Sequence, residues 1–154
     1  MVEITKHFTS SVYIVFENKV LLHVHKKYDM LLPVGGHIDR DELPADAAAR
    51  KAKEESGLDV EIFNSRKYDN FEDGEKMNFE KEINIGEFCN LHYVNEFHQH
   101  IDFTFFAKAF SNVLKPAKGE TKALYWFTRE EIISQTKIKT STKKYALYAL
   151  DNVK

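Results

Sequence analysis

The chain is short of the features that would place it outside an ordinary soluble domain. Cys89 is its only cysteine, so no intrachain disulfide can form, and this fits a reducing cytoplasm. No apolar run approaches the roughly 18 residues that a membrane-spanning helix needs, and the opening MVEITKHFTSSVYIVF lacks the layout of a signal peptide. Neither sign of charge dominates: 22 basic residues face 24 acidic ones, a net −2. That leaves no electrostatic case for binding nucleic acid or an anionic membrane. There is no internal repeat, low-complexity tract or linker. What remains is 154 residues, 43% hydrophobic and 30% charged, the profile of one globular domain, residues 1–154, with a sizeable core. Cytoplasmic location is the expectation.

One stretch is dense in chemistry: LLPVGGHIDRDELPADAAARKAKEESGL, from Leu31 to Leu58. An apolar run ends at Pro33, a Gly35-Gly36 pair follows, and an acidic loop carries Asp39, Asp41 and Glu42. Pro44 suits the first turn of a helix, where its missing N–H costs nothing. At about 100° per residue, Ala45, Ala48, Ala49 and Ala52 share a face, and small side chains there let the helix lie close to its neighbour. Gly57 is the stop signal. Arg50–Glu54 and Lys51–Glu55 are i,i+4 pairs, as on any solvated helix. Two adjacent glutamates at a helix C-terminus, however, oppose the helix dipole, a conflict that bound cations relieve. Behind a glycine loop, this arrangement points to a metal site.

The spacing G-x5-E-x7-R-x3-EE-x-G-apolar is met by Gly36, Glu42, Arg50, Glu54, Glu55, Gly57 and Leu58. It resembles the Nudix box, the diphosphate- and metal-binding signature of the Nudix hydrolases. The resemblance implies an α/β fold, a mixed β-sheet sandwiched between helices, with the box as a loop–helix–loop. It implies a pyrophosphohydrolase acting on a small-molecule nucleotide substrate, a nucleoside diphosphate linked to another group, with Mg2+ or Mn2+. Hard divalent cations take oxygen donors, neutralise a diphosphate and activate water, and phosphoryl transfer asks little covalent chemistry of the protein. Position by position, the resemblance makes Glu54, Glu55 and the Gly35 carbonyl the metal ligands. Arg50 orients the carboxylates, Glu42 braces the loop, and Glu120 occupies a region where relatives place an extra carboxylate. Gly36 falls among the substrate-binding residues. A homodimer is left open.

One position departs from the family pattern. The box arginine is usually followed by a glutamate, often a metal ligand and candidate base, and here Lys51 follows Arg50. A protonated ammonium cannot ligate a metal. Either the base comes from elsewhere, or fewer metals are used, or catalysis is weak. Two readings therefore stand: a metal-dependent hydrolase, or a degenerate Nudix domain that binds a nucleotide or phosphorylated ligand without cleaving it.

The remaining chain supplies strands and further candidates. Thr9–Phe16 and Val20–Val24 read as strands joined by a turn at Glu17-Asn18-Lys19, with His23 and His25 on one strand face. Tyr28, in the following loop, could stack on a nucleobase. Asp59–Phe63 reads as a strand extending towards Tyr68. Asp69–Glu82, with Glu72, Asp73, Glu75, Glu80 and Glu82, reads as a solvated loop able to lend a carboxylate. Phe88–Val94 and Ile101–Phe110 read as strands joined by a polar turn at Asn95–Gln99. Ile101, Phe103, Phe105, Ala107 and Ala109 alternate onto one face. His98, His100 and Asp102 alternate onto the other. An H-x-H-x-D run could bind metal, but a polar hairpin shoulder or pocket wall is preferred, with His98 and His100 touching substrate. Ala123–Phe127 is a strand carrying Trp126 as a structural anchor. Thr128 and Glu131 form a capping box opening a helix, and the last helix spans Ser141–Asn152.

Overall fold

The computed structural model describes residues 3–72 and 79–154. In chain order it runs β1 (Thr5–Phe16), β2 (Lys19–His25), β3 (Met30–Leu32), β4 (Val34–His37), α1 (Pro44–Ser56), β5 (Val60–Ile62) and β6 (Asn70–Glu72). It continues with β7 (Phe79–Lys81), β8 (Phe88–Asn95), β9 (His98–Ala109), β10 (Leu124–Phe127), α2 (Arg129–Ser134) and α3 (Thr140–Asn152). β1 and β9 form the spine, parallel over their whole length from Thr5↔His98 to Val15↔Lys108. Among the described residues the other strand ladders of this sheet are antiparallel, so the sheet is mixed. Each spine strand changes partner along its outer edge. β1 pairs first with β4 and then with β2, and β9 pairs first with β8 and then with β5. The result is a curled sheet between helices, the α/β/α sandwich expected from the sequence.

Strand alternation sends successive residues of the spine into two separate cores. Val12, Ile14, Phe105 and Ala107 face α1 and bury against Ala48 and Ala52. Tyr13, Val15 and Phe106 face the other way, onto Ile132 of α2 and Tyr145, Ala146 and Ala149 of α3. α2 opens on the anticipated capping box, Thr128 Oγ1 accepting from the Glu131 N–H. Trp126 packs on Phe16 and its indole N–H donates to the Asn112 carbonyl, anchoring β10 to the chain before it.

Several boundaries differ from the sequence reading, each for a local reason. The first hairpin turns on two residues, Glu17 and Asn18, both left-handed (φ 44° and 62°), with Lys19 already in β2. Such two-residue turns match the twist of the flanking strands. β5 ends at Ile62 rather than running on to Tyr68. Asn64 Oδ1 accepts from the Arg66 N–H, and Glu87 holds Ser65, which together bend the chain. Asp69–Glu82 contains a small hairpin, Asn70↔Lys81 to Glu72↔Phe79, in place of a plain loop; residues 73–78, with Asp73 and Glu75, lie outside the described residues. The β8–β9 turn is shorter than the sequence suggests, because Asn95 Oδ1 caps the Phe97 N–H. His98 therefore stands in β9 from the outset.

α1 begins at Pro44, whose carbonyl accepts from Ser10 Oγ of β1 at 2.7 Å. Its buried arc runs through Ala47, Ala48, Ala52 and Ser56, wider than the alanine face expected, while Ala45 and Ala49 are half-buried. Gly57 ends the helix in the left-handed region (φ 79°). The last-turn carbonyls of Glu54 and Ser56 then accept from Ala117 and Lys115 N–H at 2.9 and 2.8 Å. A Cβ on Gly57 would stand 2.4 Å from the Lys115 carbonyl oxygen. Gly57→Ala therefore combines left-handed strain, itself about 1–3 kcal/mol, with displacement of the docked 111–118 connection. Urea denaturation should register a loss of at least about 1 kcal/mol; an unchanged midpoint would show that the connection gives way freely.

Candidate active site

The site is built where β4 meets the C-terminal turn of α1. Gly35 pairs with Ser11 of β1, and a Cβ there would lie 2.5 Å from the Ser10 carbonyl oxygen and 2.8 Å from Ser11 Cα. Both are backbone atoms, so only glycine lets β4 approach this closely. The Gly35 N–H donates to Glu55 Oε2 at 2.6 Å, bridging strand and helix. Burial pushes the Glu55 carboxyl up to about 7. The Gly35 bond and the Lys51 charge oppose this rise, while Glu120 and Glu54 add to it. Glu120 thus acts on Glu55 although the two are far apart in sequence. The docking of Lys115 and Ala117 onto the end of α1 explains how, since it holds the start of the segment leading to Glu120.

Around the next helical arc lies a charged network. Arg50 donates from Nε and Nη2 to both oxygens of Glu42 (3.0 and 2.6 Å) and from Nη1 to Glu54 (3.1 and 3.2 Å). Its Nη2 also reaches the His37 carbonyl at 3.1 Å. Glu42 in turn accepts from the Asp39 N–H at 2.9 Å, closing the loop onto the helix. The guanidinium holds both Glu42 and Glu54 below the usual carboxylate range. Glu54 and Glu55, although adjacent, are held in opposite electrostatic states, one fixed by Arg50 and the other raised by burial.

Lys51 lies inside this network. Its ammonium is 3.3 Å from Glu54 Oε2, not paired with Glu55 as the i,i+4 spacing suggested, and its side chain is only 18% exposed. A Cβ on Gly36 would come within 2.6 Å of Lys51 Cε, so the bare Gly36 backbone provides the room in which this stem lies. The position that carries a carboxylate in the family pattern holds a cation that already compensates neighbouring carboxylates.

The proposed substrate-contacting residues are distributed more widely. Tyr28 is exposed in the β2–β3 turn, stacked on His25 with ring centroids 4.7 Å apart. His23 bonds the Pro33 carbonyl, and burial holds it below its ordinary value while the Glu120 charge acts the other way. His98 and His100 project beside His7 of β1 and His37 of β4, two residues that the sequence reading did not single out. Their only signal is the strand register, His7↔His100 and Thr9↔His37, which joins segments roughly thirty to ninety positions apart and cannot be read from local spacing. Asp102 is not aimed at this group. It is buried and accepts from Thr9, Ser11 and Thr104 hydroxyls at 2.8, 2.6 and 3.1 Å.

Fold, box geometry and sequence place the chain in one class. A NUDIX domain model matches residues 5–149, and the chain belongs to that family. A NUDIX-family hydrolase from Clostridium perfringens is 36% identical and superposes with a TM-score of 0.83, covering 98% of this chain and 100% of the other. An ADP-ribose pyrophosphatase from Streptococcus suis shares the fold at 18% identity and a TM-score of 0.60, over 96% and 91% of the two chains. A UDP-X diphosphatase does so at 15% identity and 0.61, over 99% of this chain and 64% of the other. Among curated proteins, none matches the sequence.

The raised Glu55 has a measurable consequence. A carboxyl moved from 4.5 to about 7 by folding favours the protonated form. Its contribution to stability is complete below the unfolded value and is lost as pH rises through about 7. At about 1.4 kcal/mol per tenfold change in proton affinity, the buried charge costs on the order of 3 kcal/mol at pH 8. Glu55→Gln keeps an acceptor for Gly35 and removes the charge. In EDTA, its melting temperature should exceed that of wild type by several degrees at pH 8 and converge with it near pH 4. A variant no more stable at pH 8 would mean that the carboxylate is not disfavoured by burial.

Proposed function

We propose that this chain is a metal-dependent hydrolase that cleaves the diphosphate linkage of a nucleoside diphosphate derivative: a nucleotide sugar, an ADP-ribose-like compound or a nucleoside triphosphate. The observation that carries the reading is the Glu42–Arg50–Glu54 network beside Glu55 on the Gly35 N–H. These groups bring hard oxygen donors together, with Glu42 and Glu54 compensated by Arg50 and the Glu55 charge disfavoured by burial. Family membership supports the reaction class, and the ADP-ribose and UDP-X activities named for the two distant relatives illustrate substrates of this kind.

The donor set suits Mg2+ or Mn2+, which prefer carboxylate and carbonyl oxygens. Glu54, Glu55 and the Gly35 carbonyl would hold it. Such an ion supplies charge neutralisation of the diphosphate and a lowered pKa for water. Arg50 and Glu42 act as positioning residues: Arg50 fixes the Glu54 carboxylate, and Glu42 fixes Arg50 and the loop. Gly36 is assigned to the substrate-binding backbone, with the Lys51 stem lying over it beside the phosphates, and Tyr28 offers a ring face to a base at the rim. In the hydrolysis itself, a water oxygen bonds to phosphorus as the bridging P–O bond breaks. The water's proton passes to a carboxylate, and the bridging oxygen leaves with the second phosphate. With Lys51 in place of the usual glutamate, Glu120 is the carboxylate proposed to take that proton.

A specific observation favours the second reading, a nucleotide-binding domain with little catalysis: the Lys51 ammonium already sits 3.3 Å from Glu54. A screen of nucleotide substrates with Mg2+ and Mn2+, scored by phosphate release after phosphatase coupling, separates the two. If Glu120 is the base, Glu120→Gln should lower kcat by about 10²–10⁴, and Lys51→Glu should have only a modest effect. A gain of about a hundredfold in Lys51→Glu, with Glu120→Gln unchanged, would establish instead that the site has lost its glutamate.

A further inference from the structure

Outside the box, the N-terminal half of the spine gathers imidazoles on one sheet face. His7 (β1), His37 (β4), His98 and His100 (β9) form a four-cornered array. Neighbouring ring centroids are 4.6 Å (His7–His98), 4.9 Å (His98–His100), 5.1 Å (His100–His37) and 5.1 Å (His37–His7) apart. The two diagonals are 6.4 and 6.5 Å. One ring nitrogen from each lies within 4.8 Å of all the others. His92 of β8 adds a fifth ring, 5.1 Å from His100, with its Nδ1 engaged by Asn90 Oδ1. Among the described residues, the ring hydrogen bond within the array joins His7 Nδ1 and His98 Nε2 at 2.7 Å. His100 Nε2 is buried and has no hydrogen-bond partner among the described residues, a state that costs free energy unless something fills the space beside it.

From this we infer a second metal site, a Zn2+ centre ligated by His7, His37, His98 and His100, chemically separate from the oxygen-donor box. Zn2+–imidazole bonds of about 2.0–2.1 Å place tetrahedral ligand atoms about 3.4 Å apart. Closing the array from 4.8 Å to that spacing is a change of about 1.4 Å between ligand atoms that already lie together. The donors are all nitrogen, which suits zinc and its transition-metal neighbours over Mg2+. Asp102, one row further along the same face, is fully engaged by three hydroxyls. Its carboxyl, raised by burial and held by those hydroxyls, is therefore not counted among the ligands.

The site would clasp β1, β4 and β9 at the open end of the sheet. It also reaches the box, because Gly36 alone separates His37 from Gly35 and the His37 carbonyl holds Arg50 at 3.1 Å. Its predicted role is to fix β4, and with it the Gly35 end of the diphosphate site.

The test uses tag-free, EDTA-treated full-length protein. Co2+ serves as the spectroscopic probe and Zn2+ as its competitor. Wild type should bind one Co2+ with the visible bands of a tetrahedral nitrogen site, distinct from the weak octahedral bands of any Co2+ at the oxygen-donor box; Zn2+ should displace the tetrahedral ion and raise the melting temperature. Zn2+ affinity should fall at least a hundredfold in the His7→Ala/His98→Ala double variant and remain unchanged in Glu55→Gln. The single variant His100→Gln, checked by circular dichroism, provides the same test should the double variant not fold. Absence of the tetrahedral spectrum, or Zn2+ affinity indifferent to these substitutions, would overturn the proposal. So would histidine variants that change only KM for a nucleotide, which would return His98 and His100 to the role of pocket wall.

Discussion

The hydrogen bond between Gly35 and Glu55 is the constraint on which the site depends. It spans 2.6 Å between a strand that only glycine can bring this close to β1 and the final turn of a helix that alanine allows to pack flat. Helix ends normally leave carbonyls exposed and repel acidic side chains. Here the carbonyls are taken up by the 111–118 connection, while the acidic side chain is turned onto a backbone N–H. Gly57 makes both possible by ending the helix in a conformation that clears Lys115. Close packing, helix termination and the approach of Glu120 are therefore one structural solution, and a change at any of them reaches the others.

Electrostatics divides the box into two parts. Arg50 spans Glu42 and Glu54 and keeps both ionised, forming a rigid frame. Glu55 is different: half-buried, acted on by Glu54 and Glu120, and raised to about 7. A group in that state is poised to respond to an arriving cation, because the cation supplies the compensation that burial denies. Lys51 supplies part of it from within the chain. Positioning over Gly36 beside Glu54 makes it an internal counter-charge, which explains how the network stays assembled without the glutamate usual at this position.

Much of this was legible in the sequence, and the reasons are local ones. The α1 boundaries follow from Pro44 and Gly57, the capping box of α2 from Thr128 and Glu131, and one apolar face of β9 from the alternation of Phe103, Phe105 and Ala107. The Arg50–Glu54 pair follows from i,i+4 spacing, and the Glu42 brace from what the Nudix resemblance implies. What escaped was set by pairing between distant segments. No local pattern puts His7 opposite His100 or His37 opposite Thr9, and a shift of one residue would send these rings to the other face. The Lys51 partner was misassigned because i,i+3 and i,i+4 are equally open on a helix, and the Gly36 cavity decided between them. The small hairpin at Asn70–Lys81 was hidden by acidic residues that read as loop.

The central claim is that Glu55, turned onto Gly35, forms the core of a divalent-cation site. The most direct measurement is Mn2+ binding, followed by electron paramagnetic resonance, in wild type and in Glu55→Gln. The account predicts saturable binding to wild type and an affinity at least tenfold weaker in the variant, because the substitution removes a charged oxygen ligand while keeping an acceptor for the Gly35 N–H. Equal Mn2+ affinity in the two proteins would contradict it and take Glu55 out of the metal site.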